Sequence, residues 1–319
     1  MNNKEIYKKT LCFSIRRLLW DILALIAVCA LCVGGYFIAD KTTDKGWIGL
    51  VIGGVIAVAV LFVYLRWVSY SYKAGQIAMM TRGVTENKLP DDVLGEGKRI
   101  VKERFMTVAA YFAATKIIKG IFSQLGRAIT SAGEAIGGDT GSAVGSTISS
   151  IIDTIIRYLC DCCLGWVFFR KEEKASKATC EGAVLFFKHG KTFVKNMGRV
   201  FGMGLASLIA IGGIFGGVFY LIASGYPAAF ENLFREITES ATELPGWLNN
   251  PATLMIASAV LFGVIVWSMI HSVFIRPFVL VGVLRNYIQS GINDMPTEES
   301  FNMLDSKSDK FRQLHEEAA

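Results

Sequence analysis

Residues able to carry chemistry are scarce. The histidines are His189, His271 and His315, three in 319 residues and far apart, so a hydrolytic or metal-dependent centre has little material to draw on. The patterns G-x-x-x-x-G-K-[ST], H-E-x-x-H and G-x-S-x-G are absent, and with them the usual phosphate cradle, zinc helix and nucleophile elbow. Charge is sparse too: 19% of residues are charged against 52% hydrophobic, and the mean hydropathy is +0.43. A soluble domain of this length carries more charge than that. The expectation is an integral membrane protein that is not an enzyme and has no cofactor and no metal.

What is present comes in apolar blocks separated by charged connectors. The net charge of +6 sits in lysines and arginines beside those blocks, where cytoplasmic membrane flanks place them, so nucleic acid is not an expected partner. Seven cysteines lie in or near apolar runs and read as reduced thiols rather than a disulfide framework. Cys160, Cys162 and Cys163 form C-x-C-C, which lacks the C-x2-C spacing of common zinc sites. Packing thiols are the plainer reading, with juxtamembrane acylation as the alternative.

A basic N-terminus (1–17) precedes an N-terminal membrane hairpin (18–68). Leu18 to Ala39 is too long for a signal core of roughly 7–15 residues and reads as a retained anchor. After a short turn at Asp40 to Lys45, Gly46 to Val68 is bracketed by Trp47 and Trp67, and Gly49 and Gly53 stand four apart, a spacing that admits close helix approach. From Arg66 to Arg104 there are eight basic residues, and 69–104 is read as a polar cytoplasmic connector with a loop over Glu86 to Lys98. Next comes a charged hairpin (105–169). Phe105 to Phe122, interrupted by Lys116 and Lys119, is a span, an interfacial helix or a helix lining a polar path. Gly133 to Ser150 reads as a glycine- and serine-rich turn or re-entrant piece.

In Ile148 to Phe169, Asp153, Arg157 and Asp161 are spaced i, i+4, i+8 and share one helical face, either as a polar path or as a structural ion-pair ladder. A basic amphipathic elbow (170–199) follows, with Lys188, Lys191, Lys195 and Arg199 as candidates for lipid headgroups. Val200 to Ser224 has no charged side chain in 25 residues. Its Gly212, Gly213, Gly216 and Gly217 form two overlapping GxxxG pairs, for packing within the chain or in a homo-oligomer. The acidic connector Tyr226 to Asn250 points outward, and the last membrane pair closes the 200–284 region with Pro277 as an expected kink. The tail (285–319) places Phe301, Leu304, Phe311 and Leu314 at helical spacing, an amphipathic helix suited to docking. Charge asymmetry fits an all-α, polytopic helical membrane protein of about six membrane segments, four of them uninterrupted, in a plasma or bacterial inner membrane with both termini cytoplasmic.

The order Cys160-Asp161-Cys162-Cys163, then Cys180, Ala183 and Phe187, then Asn196, Arg199 and Val200 entering a span, with a last span reaching Arg276, resembles the C-terminal half of the choline transporter-like family. The resemblance covers Ile148 to the C-terminus and implies movement of choline or a related organic cation. A quaternary ammonium binds aromatic faces and carboxylates, and Asp153, Asp161, Tyr158, Trp166, Tyr111 and Trp267 are available, unless those aromatics serve as interface belt and packing. Two functions follow. One is a transporter-like permease for a small cationic or amphiphilic solute, with Asp153, Arg157, Asp161, Tyr158 and Trp166 along its path. The other is a non-transporting membrane scaffold or lipid-interacting protein whose partners are membrane lipids.

Overall fold

A computed structural model describes residues 1–43, 46–64, 68–104, 120, 141–240, 246, 250–306 and 308–318. The protein is an all-α membrane protein, with no strand among the described residues. Its helices are α1 (Asn3–Thr43), α2 (Gly46–Tyr64), α3 (Tyr70–Thr85), α4 (Val93–Arg104), α5 (Gly141–Phe169), α6 (Ala175–Ser207), α7 (Gly213–Ala223), α8 (Pro227–Ser240), α9 (Pro251–Ile270), α10 (Arg276–Asn293), α11 (Glu298–Asp305) and α12 (Asp309–Ala318). They form two compact units, Met1–Met197 with Pro277–Ala319, and Gly198–Arg276.

Asn3–Thr42, Gly202–Ala223 and Pro251–Asn293 are long and apolar enough to cross a membrane, and Val51–Tyr64 is a shorter apolar helix. These fall on the four uninterrupted apolar blocks. Their branched side chains point outward: Leu23, Ile26, Phe37 and Val58 in one unit, Leu221, Ile222, Val260 and Leu261 in the other, are all exposed. In water such a surface would drive aggregation, whereas in hydrocarbon it is already solvated.

In the first unit, α1 changes character along its length. Ile6, Thr10, Phe13 and Ser14, at spacings of three and four, are buried in protein, while the later turns expose leucine and isoleucine. The basic N-terminus is a docked helix end, held by Arg285 through the Asn3 side chain (2.6 Å) and the Met1 carbonyl (2.7 Å). Further along, α1 and α2 touch backbone to backbone. A Cβ at Gly49 would strike the Gly35 carbonyl, and one at Gly53 the Leu31 carbonyl.

The connector expected over 69–104 is where the fold departs most from its charge pattern. Instead of a polar stretch it contains α3, a central helix with Tyr70, Tyr72, Ala74 to Thr81 and Gly83 buried. The loop expected over Glu86 to Lys98 ends early. Asp92 accepts from the Gly95 amide (2.9 Å) and starts α4 at Val93, as a side-chain oxygen at a helix N-terminus does. Phe105 to Phe122 lies outside the described residues apart from Gly120, as do residues 133–140 of the expected glycine-rich turn. The other charged segment, α5, is surrounded by protein from Ile156 onward rather than by lipid, with Tyr158, Leu159 and Cys162 to Phe168 buried. The tail folds as two helices rather than one. Phe301, Leu304, Phe311 and Leu314 close over Ile156, Leu159, Cys163, Cys180, Ala183 and Val184, and Ser308 accepts from the Phe311 amide (3.2 Å) at the start of α12.

In the second unit, α7 and α9 pack through small residues: a Cβ at Gly263 would strike the Gly212 carbonyl, and one at Gly216 would come within 2.9 Å of the Ala259 carbonyl. Two π turns interrupt these helices, Leu208–Gly212 and His271–Ile275. The second comes just before Pro277, whose missing N–H leaves the preceding turn to rearrange its hydrogen bonds.

Candidate functional site

Three of the residues expected along a solute path, Tyr158, Asp161 and Trp166, lie in a protein core. Asp161 is buried, with Lys73 Nζ of α3 at 2.6 Å from its carboxylate. Tyr158 and Trp166 are fully buried, and the Trp166 indole donates to Glu181 Oε2 at 3.0 Å. Glu181, itself buried, also receives Arg170 at 2.9 and 3.2 Å. Arg157, one turn before Asp161, is exposed, and the side chain of Asp153 lies outside the described residues. The stripe read from i, i+4, i+8 spacing therefore divides: Asp161 turns inward to a cation on another helix, and Arg157 turns outward.

Lys73, Glu181, Arg170 and Arg104 are the ionic residues that sequence reasoning passed over. Arg104 donates to the carbonyls of Glu173 (2.7 Å) and Arg170 (3.0 Å), satisfying backbone acceptors just beyond the C-terminus of α5. Its partial burial lowers its pKa. A hint of Lys73 was legible, since it is the one cation in the first three turns of α3, amid tyrosine, alanine, glycine and methionine. Its partner, 88 positions away in the chain, was not.

The thiol cluster is chemically quiet. Cys162, Cys163 and Cys180 are buried, and none of the seven cysteines is in a disulfide. Burial pushes the Cys180 thiol up to about 12 and raises Cys163 well above its ordinary value, so both are protonated at neutral pH and poor nucleophiles. No group of three His, Cys, Asp or Glu suited to a metal occurs among the described residues.

Of the four residues of the basic elbow read as headgroup candidates, the one with a described side chain is engaged: Lys188 Nζ lies 2.5 Å from Asp294, which also meets His189 at 3.3 Å. Lys188 holds the Asp294 carboxyl below its usual range. The side chains of Lys191, Lys195 and Arg199 lie outside the described residues. Among the glycines, Gly212 and Gly216 face α9, whereas Gly213 and Gly217 meet nothing within 4 Å, so one of the two overlapping pairs packs within the unit. Inside that unit Trp267 donates to the Ser207 hydroxyl (3.0 Å) and its ring lies 5.1 Å from that of His271, a polar cluster beside both π turns.

Polar and apolar features meet at the basic end of the α1–α2 hairpin. Below the glycine contact the two helices part around an apolar groove of 740 Å³, floored by Ala24, Ala27 and Ala59 and walled by Trp20, Leu23 and Val60. At its foot Tyr64 donates to Asp21 Oδ1 (2.5 Å) and Arg17 donates to the Ser69 hydroxyl (3.0 Å). Arg16, beside them in sequence, is exposed. Comparison with known proteins found no matching family model, no matching curated protein and no matching solved structure.

Proposed function

We propose that the protein is a non-transporting, lipid-interacting membrane scaffold, in which a helical body on the cytoplasmic side is carried by glycine-packed membrane helices. The observation that carries this reading is the burial of Tyr158, Asp161 and Trp166 in the core of the first unit, with the Asp161 charge matched by Lys73 at 2.6 Å. A cation path needs a carboxylate that solute can reach, and a buried carboxylate already matched by a lysine is a structural element. Basic flanks favour cytoplasmic termini, and in this reading the shorter apolar helix Val51–Tyr64 crosses together with the three long ones, returning the chain to the side on which it starts.

The test is uptake of radiolabelled choline and ethanolamine into proteoliposomes holding the intact chain. No uptake above protein-free vesicles is expected from monodisperse, correctly inserted protein. Saturable uptake that disappears in a folded Asp161→Asn variant would instead establish the permease implied by the resemblance to choline transporter-like proteins.

A further inference from the structure

The groove between α1 and α2 is an apolar recess whose make-up restricts what can fill it. Its 740 Å³ falls in the range of roughly 300–1,000 Å³ typical of small-molecule sites. Its wall is hydrocarbon from Trp20 to Val63, so no headgroup, ion or polar solute is accommodated inside it. The hairpin produces the recess itself. Glycines hold the helices in backbone contact at Gly35, Gly49 and Gly53, and just below them alanines take over on both helices while the bulky side chains stand at the rim.

The charges at the foot indicate which amphiphile fits. Asp21 is covered by the Tyr64 hydroxyl and lies 4.0 Å from Arg17, and Arg17 is tied to Ser69. That leaves the exposed Arg16 as the cation of the group open to solvent, one helical turn before Trp20 of the groove, an indole suited to the headgroup boundary. We infer that the α1–α2 groove is a lipid site, seating one acyl chain of an anionic phospholipid along Ala24, Ala27 and Ala59 with its phosphate against Arg16. A second copy of the chain is a poorer occupant, because covering the groove would also draw Arg16 out of water with no acidic partner supplied by the groove.

This inference rests on the lipid-interacting reading and specifies it. The test reconstitutes the full chain in vesicles containing phosphatidylglycerol or phosphatidylcholine bearing a diazirine in one acyl chain, then maps the crosslinked residues by mass spectrometry. Ile22, Ile26 and Val58 are exposed on the same two helices away from the groove and report bulk lipid. Ala24, Ala27, Ala59 and Val60 are expected to be labelled several-fold more than those three with the phosphatidylglycerol probe. Ala59→Phe, which fills the floor, should bring the excess down to background, as should Ala24→Leu if the first variant folds poorly. Arg16→Gln should weaken the anionic preference by about fivefold, the worth of one interfacial cation. Equal labelling of groove and outer faces, equal labelling by both lipids, or a groove shielded by a crosslinked second copy would each overturn the proposal. Uptake of choline would defeat the scaffold reading while leaving the labelling pattern intact, so the two fail separately.

Discussion

The buried pair Asp161–Lys73 is unequal at its two ends. The Asp161 side chain is 5% exposed and that of Lys73 31%. Remove the carboxylate and the lysine can still turn toward water; remove the lysine and a carboxylate is left inside the core. Asp161→Asn should therefore cost about 1–3 kcal/mol, the range for an unsatisfied polar partner. Lys73→Met should cost more, about 3–5 kcal/mol, because it takes the lysine counter-charge from a carboxylate that stays inside the core. Denaturant or thermal unfolding in detergent checks the order, and Lys73→Met combined with Asp161→Leu should regain part of the loss. An equal cost for the two single variants would mean that Lys73 is not the main counter-charge. The three-residue stripe was visible in the sequence because i, i+4 spacing is a local property of a helix. Its electrostatic meaning was not, because the partner cation belongs to another helix, 88 residues away.

Among the glycines, what matters is which backbone each one faces. Gly216 and Gly263 sit where an added Cβ meets a carbonyl of the facing helix, and Gly217 sits where it meets nothing. Gly263→Ala and Gly216→Ala should each push α7 and α9 apart and lower the thermal midpoint. Gly217→Ala should be neutral or slightly stabilising, since alanine is the better helix former by about 1 kcal/mol. Equal effects at Gly216 and Gly217 would show that α7 packs in a different rotation. The overlapping GxxxG pairs could not be ranked from sequence, because four-residue spacing marks two faces of one helix equally well. The spans themselves were easy to read, since a run such as Val200 to Ser224 satisfies its backbone and its lipid contacts without help from the rest of the chain. α3 was the opposite case. Its eleven buried residues include small, aromatic and polar side chains with no single apolar stripe, so the connector was judged by the eight basic residues from Arg66 to Arg104, and the distant partners of two of them, Asp161 for Lys73 and Glu96 for Arg82, become evident only after folding.

At the scale of the molecule, the tail completes the core of the first unit. α11 and α12 bring Phe301, Phe311 and Leu314 down on Cys163 and Cys180, and the stack continues through His315, whose ring lies 4.9 Å from Phe301 and whose Nδ1 meets Asp305 at 2.8 Å. Phe311 is fully buried, so Phe311→Ala should cost about 3–5 kcal/mol through lost burial and a cavity. That loss does not have to unfold everything. The two helices are short, eight and ten residues, too short to persist alone once their apolar contact is gone. They should therefore lift away as a local opening while the membrane helices stay formed. The thiols beneath report the event, because a buried thiol with its pKa pushed up to about 12 reacts only after it reaches water. Alkylation of Cys180 and Cys163 by a charged maleimide should be slow in the intact protein and faster by a factor of ten or more in Phe311→Ala, the factor that about 1.4 kcal/mol of opening free energy supplies. Cys160, half-buried at the edge of the same cluster, should change less. If all three thiols accelerate together and helical signal falls with them, the tail is bound into a single cooperative fold; if Cys163 and Cys180 alone accelerate, the C-terminal pair is a separable cover on the helical body.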